Sequence, residues 1–287
     1  MSGLPIVLFD GTVYGMLLFL MSVGLSVTLG LMGVVNLAHG SFAAIGGFAS
    51  VVLVHRLGMP FLLGVPLAAL ITAAIGGVLE AVLFRRLYRR GPLDQVLFTI
   101  GIVYVWIAVS TRIWGAGQQP ADLPAFLQGQ IALWPGAEVG AYRLFLLILG
   151  GVLAAGIFFG LERTRFGARV RAAQSDRDMA GGVGINVDRL FLLSFAIGAG
   201  LAGAGGALAI PVIGLDPSFP LKYLAFFLIV VSLGGPGTVT GSLVAALIVG
   251  IVDVAGKYYL PGAGGFLIYA LVVAMLIWRP QGLVART

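Results

Sequence analysis

The hydrophobic positions of this chain neither alternate nor keep to one helical stripe. They run on, with polar residues as punctuation between the runs. A bilayer core about 30 Å thick takes about 20 helical residues at a rise of 1.5 Å each. The stretches 57–79, 95–111, 144–161, 190–215 and 258–278, all free of Asp, Glu, Lys and Arg, therefore predict one crossing apiece, and 11–55 predicts two. The run 223–252 is interrupted by Gly234-Gly235-Pro236-Gly237, which predicts two short crossings or a re-entrant hairpin. The expected fold is all-α: a polytopic transmembrane helical bundle of about eight to nine segments with broken or re-entrant helices, forming one domain over residues 1–287.

Composition narrows the function. With 60% hydrophobic and 10% charged residues, the chain has too little polar material to cover a soluble globule of 287 residues. Its 44 glycines suit close helix packing in lipid. There is no cysteine, and His39 and His55 are the only histidines, so neither a metal site nor a cofactor is expected. The net charge of +6 does not point to nucleic acid, because the basic residues lie between the apolar runs. Twelve of the seventeen fall in three places: Arg85, Arg86, Arg89 and Arg90; the six arginines of 163–189; and Arg279 with Arg286. The positive-inside rule puts these clusters in the cytoplasm and Arg56, Arg112, Arg143, Lys222 and Lys257 opposite, with the N-terminus outside and the C-terminus inside. The N-terminus has no basic flank of the kind a cleaved leader carries, so the first apolar run is expected to be a membrane segment.

Two breaks could carry function. Asn36, His39 and Ser41 form a polar cluster between apolar stretches, and such groups at membrane depth are costly unless they face protein or a water-filled path. Gly234, Gly235, Pro236 and Thr238 supply unwound backbone, which survives in lipid only where it is buried or lines a cavity. Each is also readable as a plain turn, Asn36 then being a helix cap. Within the basic loop of about 162–189, Ser175 with Asp178 predicts the start of a short helix, Gly181-Gly182 its end, and Asn186 the cap of a membrane helix beginning near Val187. Glu80 is expected to pair with Arg85 or to reach the interface. The Gly198-x-Gly200-x-x-Gly203 pattern has no strand before it and is no dinucleotide fingerprint. It belongs to small-residue faces through Gly198, Ala202 and Gly206, and through Gly237, Gly241 and Ala245. No phosphate-binding loop of the G-x-x-x-x-G-K-[ST] type is present, so any ATP must be hydrolysed by another chain. A secondary transporter or channel would place more ionisable residues at mid-membrane, and an embedded enzyme would need paired carboxylates or an HExxH motif.

GVVNLAHGSFAAIGGF (33–48), RTRFGARVRAAQSDRDMAGGVGINVDR (163–189) followed by FAIGAGLAGAGGAL, and the terminal RPQGL (279–283) together resemble the permease subunits of branched-chain amino-acid ABC transporters. The resemblance is to the half of the permease pair that carries the NLAHG motif, in a family that also includes urea and short-amide permeases. It implies an importer subunit in the inner membrane, a second related permease, two cytoplasmic ATP-binding subunits and an external substrate-binding protein. It also implies that Arg165, Gly167, Arg171, Asp176, Arg177 and Gly184 belong to the segment that couples the membrane helices to the ATPases. The EAA-type consensus of many other importers is not cleanly present around Ala172-Ala173. The predicted orientation is checked with a reporter enzyme fused after Arg90 or after Gln130: the first should report the cytoplasm and the second the exterior. An external signal after Arg90 rejects the orientation.

Overall fold

The computed structural model describes residues 3–88, 90–120, 123–134, 137–279 and 282–284. Arg89, Arg286 and the Pro280 and Gln281 of the terminal motif lie outside the described residues. A first helix α1 (Gly3–Met32) is followed by α2 (His39–Val51), which is prolonged by a π-helical turn, Val52–Arg56. Next come α3 (Phe61–Leu79), continued through a second π turn (Glu80–Phe84) to Leu87, and α4 (Pro92–Trp114). A small antiparallel hairpin of β1 (Gln130–Trp134) and β2 (Ala137–Gly140) leads into α5 (Ala141–Glu162). The chain then forms α6 (Arg165–Ser175), α7 (Arg177–Gly182), α8 (Val187–Ile213), α9 (Phe219–Gly234), α10 (Val239–Tyr259) and α11 (Gly264–Trp278).

Six of these helices are long and apolar enough to cross a membrane, and α9 and α11 are shorter apolar helices. With α2 the described residues hold nine candidate membrane segments, the upper end of the expectation. The Gly234–Pro236 interruption resolves as a turn between α9 and α10. It leaves Lys222 and Lys257 toward the same end of the bundle. That end carries the β-hairpin, and the opposite end carries α6 and α7.

Helix α1 is the pillar of the bundle: it packs on α10, α8, α5 and α9, and Leu18, Phe19, Met21 and Val23 are fully enclosed. Glycine makes this density possible. A Cβ on Gly24 of α1 would lie 2.5 Å from Cα of Gly198 in α8, and one on Gly46 of α2 would lie 2.2 Å from Cα of Gly203. Only backbone-on-backbone contact fits at these crossings. By contrast α4 and α5 turn Leu97, Tyr104, Val105, Ile148 and Val152 outward, as lipid-facing helices do.

The packing also repeats itself. The series α1, break, α2, α3 is matched by α8, break, α9, α10, running in the opposite direction across the bundle. The extensive α1–α10 contact corresponds to α3–α8 and the α2–α3 contact to α9–α10, while α2 packs on α8 much more extensively than α9 does on α1. Both long helices end at a glycine of positive φ, Gly33 at 66° and Gly214 at 73°, whose N–H bonds the carbonyl four residues back. This is an inverted repeat of the kind found in membrane transporters. Replacing Gly46 by Val should cost about 1–3 kcal/mol or more through overpacking, whereas Gly151, whose Cβ would meet nothing within 4 Å, should accept Val. Thermal unfolding of the two variants in detergent checks this. Equal melting temperatures would remove the backbone-contact argument.

Candidate functional site

The first break turns on Asn36. Its Oδ1 accepts from the Ala38 N–H (3.0 Å) and its carbonyl accepts from the His39 N–H (3.2 Å), an Asx turn that opens α2. His39 Nε2 lies 3.0 Å from the carbonyl of Met21. A carbonyl only accepts, so this nitrogen carries the proton. Met21 sits two-thirds of the way along α1, so residues 33–38 fold back beside α1 and start α2 within the bundle. Asn36, His39 and Ser41 are all buried, and Asn36 Nδ2 and Ser41 Oγ have no hydrogen-bond partner among the described residues. Ser41 borders an apolar cavity of about 520 Å³ between α2, α3 and α4, beside Phe98, Ile102 and Trp106.

The second break, residues 214–218, reproduces that turn. Asp216 Oδ1 accepts from the Ser218 N–H (2.9 Å) and the Asp216 carbonyl from the Phe219 N–H (3.0 Å), opening α9 as Asn36 opens α2. Lys222 is ion-paired to the other carboxylate oxygen. Burial raises the pKa of Asp216, but the bonds from Lys222 and Ser218 outweigh it and hold the carboxyl below its usual range. The first turns of α2 and α9 meet: a Cβ on Gly40 would lie 3.1 Å from Cα of Pro220. The end of the apolar run at Leu215 marks a connection here in the sequence, but nothing in the sequence showed that Asp216 would repeat the Asn36 turn.

Residues 234–238 lie elsewhere, against the α6–α7 end. Gly235 (φ 89°) and Gly237 (φ 78°) provide the two positive-φ positions of the turn, and Pro236 is exposed. The Gly237 N–H donates to the carbonyl of Ser26 in α1 (2.9 Å), and Thr238 Oγ1 to the carbonyl of Gly234 (2.8 Å). Gly237 and Thr238 share a cavity of about 200 Å³ with Gly167, Arg171 and Gln174 of α6.

The basic loop is more ordered than one short helix. Thr164 caps α6, accepting from the Gly167 N–H (3.2 Å), and a Cβ on Gly167 would fall 1.9 Å from the carbonyl of Leu161, so the α5–α6 corner requires glycine. Arg171 donates to that same carbonyl and lies 3.7 Å from Glu162. Ser175 ends α6 and so cannot start α7. The extended Asp176 (φ −153°) takes the capping role and accepts from the Met179 N–H (2.9 Å). Arg165 is exposed, and Gly184 (φ 87°) closes α7. Asn186 caps α8, accepting from the Arg189 N–H (2.9 Å), as its sequence position predicts.

Arg177 ties this loop to the bundle. Its guanidinium donates to the carbonyl of Leu31 in the last turn of α1 (3.0 Å) and lies 5.0 Å from the Phe191 ring centre. Two buried carboxylates also stand within the helices. Glu80, in the π turn, is fully buried, accepts from the Tyr88 hydroxyl (3.0 Å) and lies 3.7 Å from Arg85, the pairing its sequence position predicts. Asp253 pairs with Lys257 one turn on (2.6 Å).

A bundle of glycine-packed membrane helices, with an inverted repeat and two half-helices starting inside it, defines a polytopic membrane transport protein. The chain belongs to the branched-chain amino acid transport system permease component family, whose model matches residues 7–276. It is 28% identical to the high-affinity branched-chain amino acid transport system permease protein BraD of Pseudomonas aeruginosa, over 97% of this chain and 95% of the relative. It is also 28% identical to LivH of Escherichia coli, over 97% of this chain and 94% of that one. LivM of Escherichia coli, again 28% identical, is matched over 95% of this chain and 68% of the longer relative. No solved structure matches significantly.

Replacing Asp176 by Ala removes the α7 cap and should cost about 0.5–2 kcal/mol of local stability. Hydrogen exchange should then be faster at the amides of α7 and unchanged in α8. Unchanged exchange in α7 would dismiss the capping role.

Proposed function

We propose that this chain is the membrane-spanning permease subunit of an ATP-driven importer, carrying branched-chain or related aliphatic amino acids across the inner membrane. The family match over residues 7–276 is the observation that carries this reading. The partners are a second related permease, two ATP-binding subunits and an external substrate-binding protein. LivH-type and LivM-type relatives both match this one chain, which supports a pair built on a common plan.

The α6–α7 end faces the cytoplasm, where it collects the arginines, and the hairpin end faces outward. On α7 and just beyond it, Met179 and Val183 are exposed apolar side chains that suit a pocket on an ATP-binding subunit. Movement of α7 reaches α1 through Arg177 and the carbonyl of Leu31, two residues before the Gly33 stop of the first break. Movement of α6 reaches residues 234–238 through the cavity shared by Arg171, Gln174 and Thr238. Asn36, His39 and Ser41 stand on the transport path, and Gly234, Gly235, Pro236 and Thr238 form its inner, drive-linked end. ATP hydrolysis takes place in the partner subunits, and this chain supplies the path and the linkage.

Uptake by the reconstituted complex, measured with leucine, isoleucine, valine and urea, tests the substrate. ATP-dependent uptake of the three amino acids is expected, and uptake of urea alone would reassign the chain to the amide branch of the family. Exchanging Asp176 and Arg177 for Ala should lower uptake per ATP hydrolysed at least severalfold while leaving membrane insertion intact. An unchanged ratio removes the coupling assignment.

A further inference from the structure

The repeat assigns a role to residues that no motif singled out. Asn36 and Asp216 occupy equivalent positions, make the same two backbone bonds and open the two half-helices whose first turns meet at Gly40 and Pro220. They differ in charge. Asp216 is 9% exposed and is paired to a half-exposed lysine, whereas among the described residues no charged side chain bonds to Asn36. The segment just after α4 lies over this second break, with the Gln119 N–H bonded to the carbonyl of Leu215 (2.8 Å). At the meeting of the half-helices, Asn36 Nδ2 and Ser41 Oγ are buried polar groups without a partner.

We infer that Asp216 and Lys222 form the station at which the charged head of a zwitterionic substrate enters the permease, its ammonium passing to the Asp216 carboxylate and its carboxylate to the Lys222 ammonium. This inference rests on the reading of the chain as an importer and adds the head-group chemistry to it. An internal ion pair exchanged for two intermolecular ones keeps every charge compensated, so the head group never enters the bundle unpaired. The unpartnered Asn36 amide and Ser41 hydroxyl then offer polar contacts further along, where the two half-helices converge. A neutral amide has no use for the ion pair.

The repeat also supplies the test. Asn36 makes the same turn with a neutral side chain, so Asp216→Asn removes the charge and keeps the turn. Lys222→Met removes the partner charge while keeping the side-chain length. Both variants are assembled with the partner subunits into proteoliposomes, and leucine uptake and ATP hydrolysis are measured with saturating loaded binding protein. Loss of one partner of a charge-assisted bond predicts uptake reduced about tenfold or more, with hydrolysis within about twofold of wild type. Uptake equal to wild type in both variants, or uptake and hydrolysis falling together, overturns the inference. A wild-type complex that moves urea and no zwitterion overturns both this inference and the functional reading beneath it. A wild-type complex that moves leucine, with variants that match it, overturns this inference alone.

Discussion

The contact between Gly24 and Gly198 governs how closely the two halves of the bundle can lie, since α1 and α8 cross there with no side chain between them. In lipid, burying apolar side chains between helices gains little over leaving them against acyl chains, so association depends on close packing and on polar bonds that lipid cannot replace. The same device recurs where α2 crosses α8 at Gly46 and Gly203, and where Gly15 of α1 meets the backbone of Ala246 in α10. Every functional element hangs from these crossings. They bring α2 and α9 together and fix α1 as the pillar that the first break, the 234–238 turn and α7 all touch.

Unwound backbone within such a bundle has to find partners locally, and the Asx turn is how both breaks do it. One side chain satisfies an N–H two residues on, while its own carbonyl takes the next, so two donors at the entry of each helix are met locally. The turn at 234–238 follows another route, borrowing the carbonyl of Ser26 from α1. The first solution starts half-helices, and the second binds a corner to a neighbouring helix.

Much of this was legible in the sequence: the long apolar runs that lipid imposes showed a helical membrane bundle and roughly how many segments it has, and the place of Asn186 ahead of such a run showed the cap of α8. What stayed hidden had no such signature. Helix α6 is short, basic and without an apolar run, so the loop around Arg165 and Gly167 shows it only through Thr164, whose capping is not distinctive by spacing. Ser175 looked like a cap because it precedes an acidic residue by three, yet the preceding helix already claims it and leaves the role to Asp176. Glu80 and Asp253 sat at the edges of apolar runs, where sequence cannot tell an interfacial carboxylate from an enclosed one. The connection after α8 was visible, but Gly214 and Leu215 continue its hydrophobic pattern past the helix end and gave no sign of the turn that follows. Inverted repeats diverge in sequence while keeping geometry, and the match of Asn36 with Asp216 emerges only from hydrogen bonds.

The meeting of α2 and α9 brings the ends of two helix dipoles together. Each half-helix presents the positive end of its dipole near Gly40 and Pro220, in surroundings of low dielectric constant. At α9 that end is answered by the Asp216 carboxylate just ahead of the helix, whereas α2 meets only the neutral Asn36 side chain, so two entries alike in geometry are unlike in charge.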